Sequence, residues 1–200
     1  TYQKAYAKET QNNKTKFILS PPKWLRQFSG KQKEEVKKIT IVTAMEENLE
    51  IPFQDKEVLT QYIEEICKFA LAKNILVNIK SHKLLDWHRE YDKLCARYKN
   101  LTHVKKRWSI EEIEGTDIGI LMNTSSTLGL QLLYCGIPVI TCSETMSEIV
   151  PKHFSAPHLQ FIVKNKTELL RVLEQLTSNK GFYKQARTQA IETFQSILAI

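Results

Sequence analysis

Four consecutive hydroxyl residues form the strongest candidate for a ligand site in this sequence. They are Thr124, Ser125, Ser126 and Thr127, and they lie between two strongly apolar segments. Hydroxyl groups and the free backbone N–H groups of a helix start both donate hydrogen bonds to phosphate oxygens. Ser and Thr also cap helices routinely, but four in a row exceed what one cap needs. We therefore predict a phosphate-binding turn here.

A basic segment elsewhere in the chain supplies positive charge. Lys80, His82 and Lys83 come within four residues, directly after an apolar stretch. Two ammonium groups can attract an anion, and the imidazole donates a directed hydrogen bond and adds charge when it is protonated. Alone, such a segment is typical of a solvated loop. The prediction of an anion site depends on this segment lying at a strand end beside the hydroxyl turn.

Two further segments could contact the remainder of a phosphorylated ligand. One is rich in acceptors for sugar hydroxyls or acid/base groups, although it is equally typical of a solvated loop. The other offers an aromatic surface for a nucleobase, although its tryptophan is equally suited to the core. The segment rich in acceptors is Glu46, Glu47 and Asn48, and the segment with the aromatic surface is Arg107, Trp108 and Ser109.

The motifs that the sequence lacks exclude several enzyme classes. It contains no Walker loop, G-x-G-x-x-G, G-x-S-x-G or HExxH, so kinases, P-loop enzymes, ordinary dehydrogenases, α/β-hydrolases and zinc proteases are excluded. The four cysteines lack metal-ligand spacing and fall in apolar stretches, which favours reduced thiols in a cytosolic protein. No metal site is predicted. The histidines without metal-ligand spacing, to which we assign no role, are His88, His103, His153 and His158.

The formal charge of +7 over 200 residues favours an anionic partner. The charge could aid binding of a phosphorylated ligand or contact with an acidic membrane face. No RNA- or DNA-binding motif accompanies it, so we predict no nucleic acid partner. No apolar run approaches the length of a membrane span. We expect a cytoplasmic protein with access to the inner face of the plasma membrane.

Alternating strand and helix patterns position these residues. Continuous apolar strands between amphipathic helices predict an α/β, Rossmann-like, doubly wound parallel sheet with helices on both faces. Ligands of such sheets bind beyond the carboxyl ends of the strands. The strands are predicted at Ile39–Thr43, Ile75–Lys80, Leu101–Val104, Ile118–Met122, Val139–Cys142 and Gln160–Val163, and the helices at Gln54–Lys73, Leu84–Tyr98, Ser109–Glu114, Leu128–Cys135, Lys166–Thr177 and from Gly181.

Composition divides the chain into three parts. Residues 1–38 are polar and are predicted to be a connector or edge segment from an N-terminal half that this chain lacks. Residues 39–180 contain the alternating pattern and are predicted to be one Rossmann-like domain. Residues 181–200 are predicted to be a C-terminal helix.

Residues 39–142 resemble the C-terminal, nucleotide-sugar-binding half of GT-B fold glycosyltransferases. The resemblance implies that the domain of residues 39–180 binds a nucleotide sugar. The most similar are bacterial surface-polysaccharide enzymes: capsule-type Kdo and sialic acid transferases, and CDP-glycerol glycerophosphotransferases. Lys80–Lys83 resembles their strand-end K-x-H-P motif, with Lys83 in place of the proline, and Thr124–Ser126 resembles their hydroxyl motif. The run from Asp117 to Val139 resembles their sequence of Asp, strand, S-S-T-x-G-x-E, helix and G-x-P-V.

The resemblance implies an inverting, metal-independent glycosyltransferase that needs no cofactor and builds a capsule, lipopolysaccharide or teichoic-acid-like polymer. Its donor would be a CMP- or CDP-activated sugar, and its acceptor a glycan or a lipid-linked glycan. Lys80, His82 and the hydroxyl turn would bind the donor phosphate. Gln131 stands where many relatives have a Glu that binds ribose or sugar hydroxyls. The general base of such enzymes usually belongs to the N-terminal half, so no catalytic residue is named.

Two other functions remain open. One is a sugar-nucleotide epimerase of the same two-domain architecture, similar to the UDP-GlcNAc 2-epimerases. The other is a nucleotide-binding module without catalysis. The replacements at Lys83 and Gln131 lend this last alternative some weight, because both depart from the motifs of the transferases.

Overall fold

A computed structural model describes residues 34–43, 56–81, 88–105, 112–113, 115–122, 127–142 and 160–198. Within these ranges, no helix is long and apolar enough to cross a bilayer. The strands are β1 Lys38–Thr43, β2 Leu76–Ser81, β3 Leu101–Val104, β4 Ile118–Met122, β5 Val139–Cys142 and β6 Phe161–Val163, and the helices are α1 Lys56–Ala72, α2 His88–Arg97, α3 Thr127–Tyr134, α4 Lys166–Ser178 and α5 Lys180–Leu198.

The six strands form one parallel sheet in the order β3-β2-β1-β4-β5-β6. β1 lies at the centre, where Ile39 is in register with Val77 of β2 on one side and with Ile118 of β4 on the other. The chain therefore winds outward from β1 in both directions and changes direction between β1 and β4. This is the doubly wound topology, and the predicted fold class is confirmed.

The central strands are apolar throughout because helices cover both faces of the sheet. In β4 and β5 every residue is buried. Ile41, Ile79 and Ile120 pack with α1, α2 and α4 on one face. Leu121 and Val139 pack with α3 and the second half of α5 on the other face. We refer to these as the α2 face and the α3 face.

The sequence patterns located the described elements closely. The predicted bounds of β3, β4 and β5 are those observed, and α5 begins one residue before the predicted Gly181. The sequence Asn165-x-x-Glu168 resembles a capping box, and Asn165 caps α4, since its Oδ1 accepts the Glu168 N–H at 2.9 Å. Glu168 Oε2 accepts the N–H of Lys164, at 2.8 Å, rather than that of Asn165. Of the helical turn predicted at Ser109–Glu114, residues 112–113 are helical and the remainder lies outside the described residues.

Asp117 joins the amino ends of β1 and β4. Its Oδ2 atom accepts the backbone N–H groups of Lys37 and Lys38, both at 2.8 Å. Its own N–H donates to the Lys38 carbonyl at 2.9 Å, and its side chain is buried. Asp117 opens the run that resembles the glycosyltransferases, yet it lies at the edge opposite the predicted ligand loops. Its observed role is to hold the two central strands together.

Replacing Asp117 by Ala should destabilise the fold. Two N–H groups would lose their shared acceptor, which is expected to lower the free energy of unfolding by about 2–3 kcal/mol. Asp117→Asn retains one acceptor oxygen and should cost roughly half as much. Urea unfolding followed by circular dichroism measures both effects. As a control, Glu174→Ala removes an exposed ion pair with Lys73 and should cost about 0.5 kcal/mol or less. Equal losses for Asp117→Ala and Glu174→Ala would contradict this role.

The four cysteines are free thiols, as predicted. Cys67 is fully buried, and burial raises the pKa of its thiol to about 12. Burial also raises the pKa of the Cys95 thiol, although that side chain is only half-buried. Because the thiolate is the reactive form, both groups are poor nucleophiles at neutral pH. Their role in the described structure is packing.

Candidate functional site

The carboxyl ends of β1, β2 and β4 lie side by side at one edge of the sheet. β1 ends at Thr43, β2 at Ser81 and β4 at Met122, and all three strands are parallel. β1 precedes the segment that contains Glu46 and Glu47, β2 leads into the basic segment, and β4 precedes the hydroxyl turn. The topology therefore brings the starting points of these three segments to the same edge, next to the change of winding direction between β1 and β4.

Three predicted site residues fall within the described structure: Lys80, Thr127 and Gln131. For Thr127 only the backbone is described, as the first residue of α3. The predicted site residues outside the described ranges are Glu46, Glu47, Asn48, His82, Arg107, Trp108, Ser109, Thr124, Ser125 and Ser126.

Lys80 places an ammonium group at this edge. It is the second-last residue of β2, in register with Val42 of β1 and Val104 of β3. Its Nζ donates a hydrogen bond to the Val104 carbonyl oxygen at 3.2 Å, and the side chain is partly buried. This bond directs the amine along the end of β3. A cation held in this position makes the electrostatic potential at the strand ends more positive, which favours binding of an anion there.

Helix α3 directs its amino end toward the same edge because it begins at Thr127, soon after β4 ends at Met122. The helix lies close to β4, since a Cβ atom on Gly129 would approach Leu121 Cδ1 to 2.8 Å. The N–H groups of its first turn and its dipole favour a negatively charged ligand. Gln131 lies one turn along the helix and is half-buried. The amino end of α3 thus lies at the same edge of the sheet as Lys80, and the amide side chain of Gln131 follows one turn further along the helix.

The predicted Gly136-x-Pro138 exit from α3 is a glycine-terminated helix end. Gly136 has a φ of +66°. The Gly136 N–H donates to the Leu133 carbonyl at 3.0 Å and the Ile137 N–H to the Leu132 carbonyl at 2.9 Å, which is the Schellman arrangement. This sharp turn lets the chain enter β5 directly. It fixes the point at which α3 ends.

A chain of polar contacts, which we call the His103 network, lies beside Lys80 on the α2 face and runs from the buried Ser81 to the exposed Lys105. Ser81 Oγ is 3.0 Å from His103 Nε2, and His103 Nδ1 is 3.2 Å from Asp92 Oδ1. Lys105 Nζ donates to Asp92 Oδ2 at 2.7 Å. This salt-bridge hydrogen bond first, and His103 second, lower the pKa of the Asp92 carboxyl group. The network joins β2, β3 and α2.

A second buried contact extends this connection to β1. Thr43 Oγ1 and Tyr91 Oη form a hydrogen bond of 2.8 Å, and both side chains are buried. The Tyr91 and His103 rings meet edge to face with centroids 5.1 Å apart. Burial raises the pKa of Tyr91 to about 12, so its hydroxyl stays protonated at neutral pH. Tyr91 and Asp92, neighbours on α2, therefore hold the ends of β1 and β3, and His103 extends the connection to β2.

Sequence analysis assigned His103 no role, and the structure gives it a place in this network. The search for metal-ligand spacing missed it because its partners lie on separate elements, 11 and 22 residues away. One signal was present in the sequence. His103 interrupts a short strand pattern, Leu101–Val104, at a position in register with the buried Ile79. A polar side chain facing a core in this way requires a partner.

The comparisons with known proteins indicate a fold. No protein-family model matches the chain, and a search of curated proteins finds no match. The C-terminal domain of a group 1 family glycosyl transferase (LpcC) from Francisella tularensis matches with a TM-score of 0.51 and 12% identity, over 81% of this chain and 86% of that one. WaaG, a glycosyltransferase involved in lipopolysaccharide biosynthesis, matches with a TM-score of 0.54 and 13% identity, over 90% of this chain and 48% of that one.

A similar match belongs to a different class of enzyme. The UDP-GlcNAc 2-epimerase of Neisseria meningitidis, in its structure bound to UDP-GlcNAc, matches with a TM-score of 0.53 and 12% identity. The match covers 84% of this chain and 44% of that one. The chain thus spans less than half the length of WaaG and of the epimerase. Its fold is a Rossmann-like, six-stranded parallel sheet that resembles one domain of a GT-B protein.

Replacing Tyr91 by Phe should destabilise the site's edge of the sheet. The change leaves the buried Thr43 hydroxyl without the partner seen here, which is expected to cost about 1–2 kcal/mol. Chemical unfolding provides the measurement. Tyr98→Phe, directly after the same helix and half-buried, is the matched control and should cost about 0.5 kcal/mol or less. If the two variants unfold at the same urea concentration, the Thr43–Tyr91 contact does not stabilise the fold.

Proposed function

We propose that this chain is the donor-binding half of a glycosyltransferase that builds a cell-surface polysaccharide. The observation that carries the proposal is the convergence of three strand ends at one edge. Lys80 and the start of α3 both lie there, and each borders one of the two predicted phosphate-binding segments. A doubly wound sheet binds nucleotides at this type of edge. The likeness to the LpcC domain and to WaaG supports the fold that the proposal requires.

The phosphate of the donor would be bound from two sides. Lys80 and His82 would approach from the end of β2, and the hydroxyl turn with the N–H groups of α3 from the end of β4. The remaining segments would contact the nucleoside and the sugar. The proposed phosphate-binding residues are Lys80, His82, Thr124, Ser125, Ser126 and Thr127, and the proposed base-, ribose- and sugar-binding residues are Arg107, Trp108, Ser109, Gln131, Glu46, Glu47 and Asn48.

The chemistry proposed for this half is stabilisation of the leaving nucleotide. In an inverting transfer, an acceptor hydroxyl attacks the anomeric carbon from the face opposite the leaving group, and the bond to the phosphate oxygen breaks. Negative charge then develops on that phosphate. A fixed ammonium group and oriented N–H groups stabilise such charge without reorganising during the reaction. The base that accepts the hydroxyl proton would come from another domain.

A sugar-nucleotide epimerase is the second candidate. Its support is the likeness to the Neisseria meningitidis UDP-GlcNAc 2-epimerase, whose TM-score is close to those of the glycosyltransferases. Both candidates require a nucleotide sugar at the same edge, so the nucleotide that the chain prefers distinguishes them. We propose a cytidine-activated donor for the transferase, with a glycan or lipid-linked acceptor at the inner membrane face. Preference for UDP-GlcNAc, with epimerisation by the complete protein, would favour the epimerase.

Removing the Lys80 ammonium should weaken nucleotide binding. Calorimetric titration of the chain with CMP, CDP, UMP and UDP should detect binding, with a preference for a cytidine nucleotide. Lys80→Met should raise the dissociation constant by roughly ten- to a hundredfold, the value of one charge-assisted hydrogen bond. Lys93→Met, on the exposed side of α2, is the matched control and should leave it unchanged. An unchanged constant for Lys80→Met would remove Lys80 from the proposed site, and no nucleotide binding would overturn the proposal.

Gln131 is expected to bind the sugar or ribose rather than the phosphate. Gln131→Ala should raise the dissociation constant of the preferred nucleotide sugar by about three- to tenfold, as expected for one lost neutral hydrogen bond. Inorganic phosphate should bind the variant as it binds the wild-type chain. Gln175→Ala on the exposed side of α4 is the control for an unrelated glutamine. Equal binding of the nucleotide sugar by Gln131→Ala and the wild-type chain would contradict this assignment.

A further inference from the structure

The His103 network has no role in the proposed donor contacts, although it lies next to them. Ser81 is only 4% exposed, and the His103 side chain only 2%. Burying polar atoms is unfavourable unless they are hydrogen-bonded, so Ser81 and His103 have a strong preference for each other. The network therefore restricts the side chain of Ser81, the last residue of β2, to one position.

The direction of the hydrogen bonds follows from Asp92. The pKa of its carboxyl group is lowered by Lys105 and by His103, so it is ionised at neutral pH and can only accept hydrogen bonds. His103 must then carry a proton on Nδ1. In the neutral ring, Nε2 is an acceptor, and the Ser81 hydroxyl donates to it. Asp92 thus selects the tautomer of His103 that binds Ser81.

The end of β3 holds the end of β2 on both faces of the sheet. On the α2 face, His103 binds the side chain of Ser81. On the α3 face, the carbonyl oxygen of Val104 binds Nζ of Lys80. The register between the two strands ends at the pair of Lys80 and Val104. Beyond this pair, the contact from His103 to Ser81 takes the place of a backbone connection between the strands.

We propose that His103 is a positioning residue of the donor site: acting through Ser81, it fixes the end of β2 and with it the place of the Lys80 ammonium group. This inference rests on the proposed function. Asp92 and Lys105 act one step further away, because they fix the tautomer and orientation of the imidazole. The order of contacts Ser, His and Asp also occurs around catalytic serines. A hydroxyl that is only 4% exposed is suited to holding the strand rather than to attacking a substrate.

Two substitutions at His103 separate positioning from general packing. The amide of a glutamine lies near the place of Nε2, so His103→Gln retains an acceptor for Ser81 and loses the bond to Asp92. The amide of an asparagine lies near the place of Nδ1, so His103→Asn retains the bond to Asp92 and loses the one to Ser81. Each variant removes the ring and one hydrogen bond, and we expect urea to unfold the two at similar concentrations.

The nucleotide affinity of the two variants should differ. The probe is the nucleoside diphosphate, CDP or UDP, that the wild-type chain binds more tightly. His103→Asn should raise its dissociation constant by about three- to tenfold, the value of one hydrogen bond that holds the strand end, and His103→Gln should change it by about twofold or less. Ser81→Ala should match His103→Asn. The double variant of Ser81→Ala and His103→Asn should be no weaker than either single one, because both remove the same contact.

Three results would overturn the inference, and they are distinguishable. Equal dissociation constants for His103→Asn and His103→Gln, with binding intact in the wild-type chain, would show that His103 contributes packing alone. Covalent labelling of Ser81 by a fluorophosphonate would show a nucleophile in place of a positioning contact. No binding of any nucleotide by the wild-type chain would overturn the proposed function and the positioning role with it.

Discussion

Burial of both faces of the sheet is the constraint on which the rest of the structure depends. β4 and β5 have no solvent-facing side, so helices must cross over both faces to return the chain to the start of each new strand. Parallel strands follow from this, and all the carboxyl ends meet at one edge. The amino ends meet at the other edge, where Asp117 joins β1 to β4. Packing thus separates an edge that holds the sheet together from an edge that is available for a ligand.

Polar groups buried at the carboxyl edge make the strand ends rigid. Thr43, Ser81 and His103 each come from a different strand. Helix α2 provides partners for Thr43 and His103 through Tyr91 and Asp92, and His103 in turn binds Ser81. Such contacts are costly to break when they are buried, because the separated groups find no water. A site assembled from loops needs fixed starting points for those loops. The same contacts that satisfy the core provide these starting points.

Sequence reasoning predicted the elements of the fold more completely than the contacts of the site. Strands such as β4 are unbroken apolar runs, and Asn165-x-x-Glu168 indicates the start of α4, so local patterns suffice for them. The neighbourhood of Ser81 and His103 follows from the pairing of β2 with β3, which no local pattern specifies. Lys80 was predicted from its type and its place after an apolar stretch, but its bond to Val104 depends on the same pairing. A single sequence does not specify which distant segments contact each other, so these contacts could not be predicted.

The central claim is that a nucleotide binds at the carboxyl edge of this sheet. Amide chemical shifts of the ¹⁵N-labelled chain, followed during titration with CDP and UDP, test it most directly. The account predicts shifts that saturate with ligand concentration at Lys80, Ser81 and the first turn of α3, while Lys38 and Asp117 at the amino edge stay unchanged. Saturating shifts at the amino edge, or none anywhere, would contradict it.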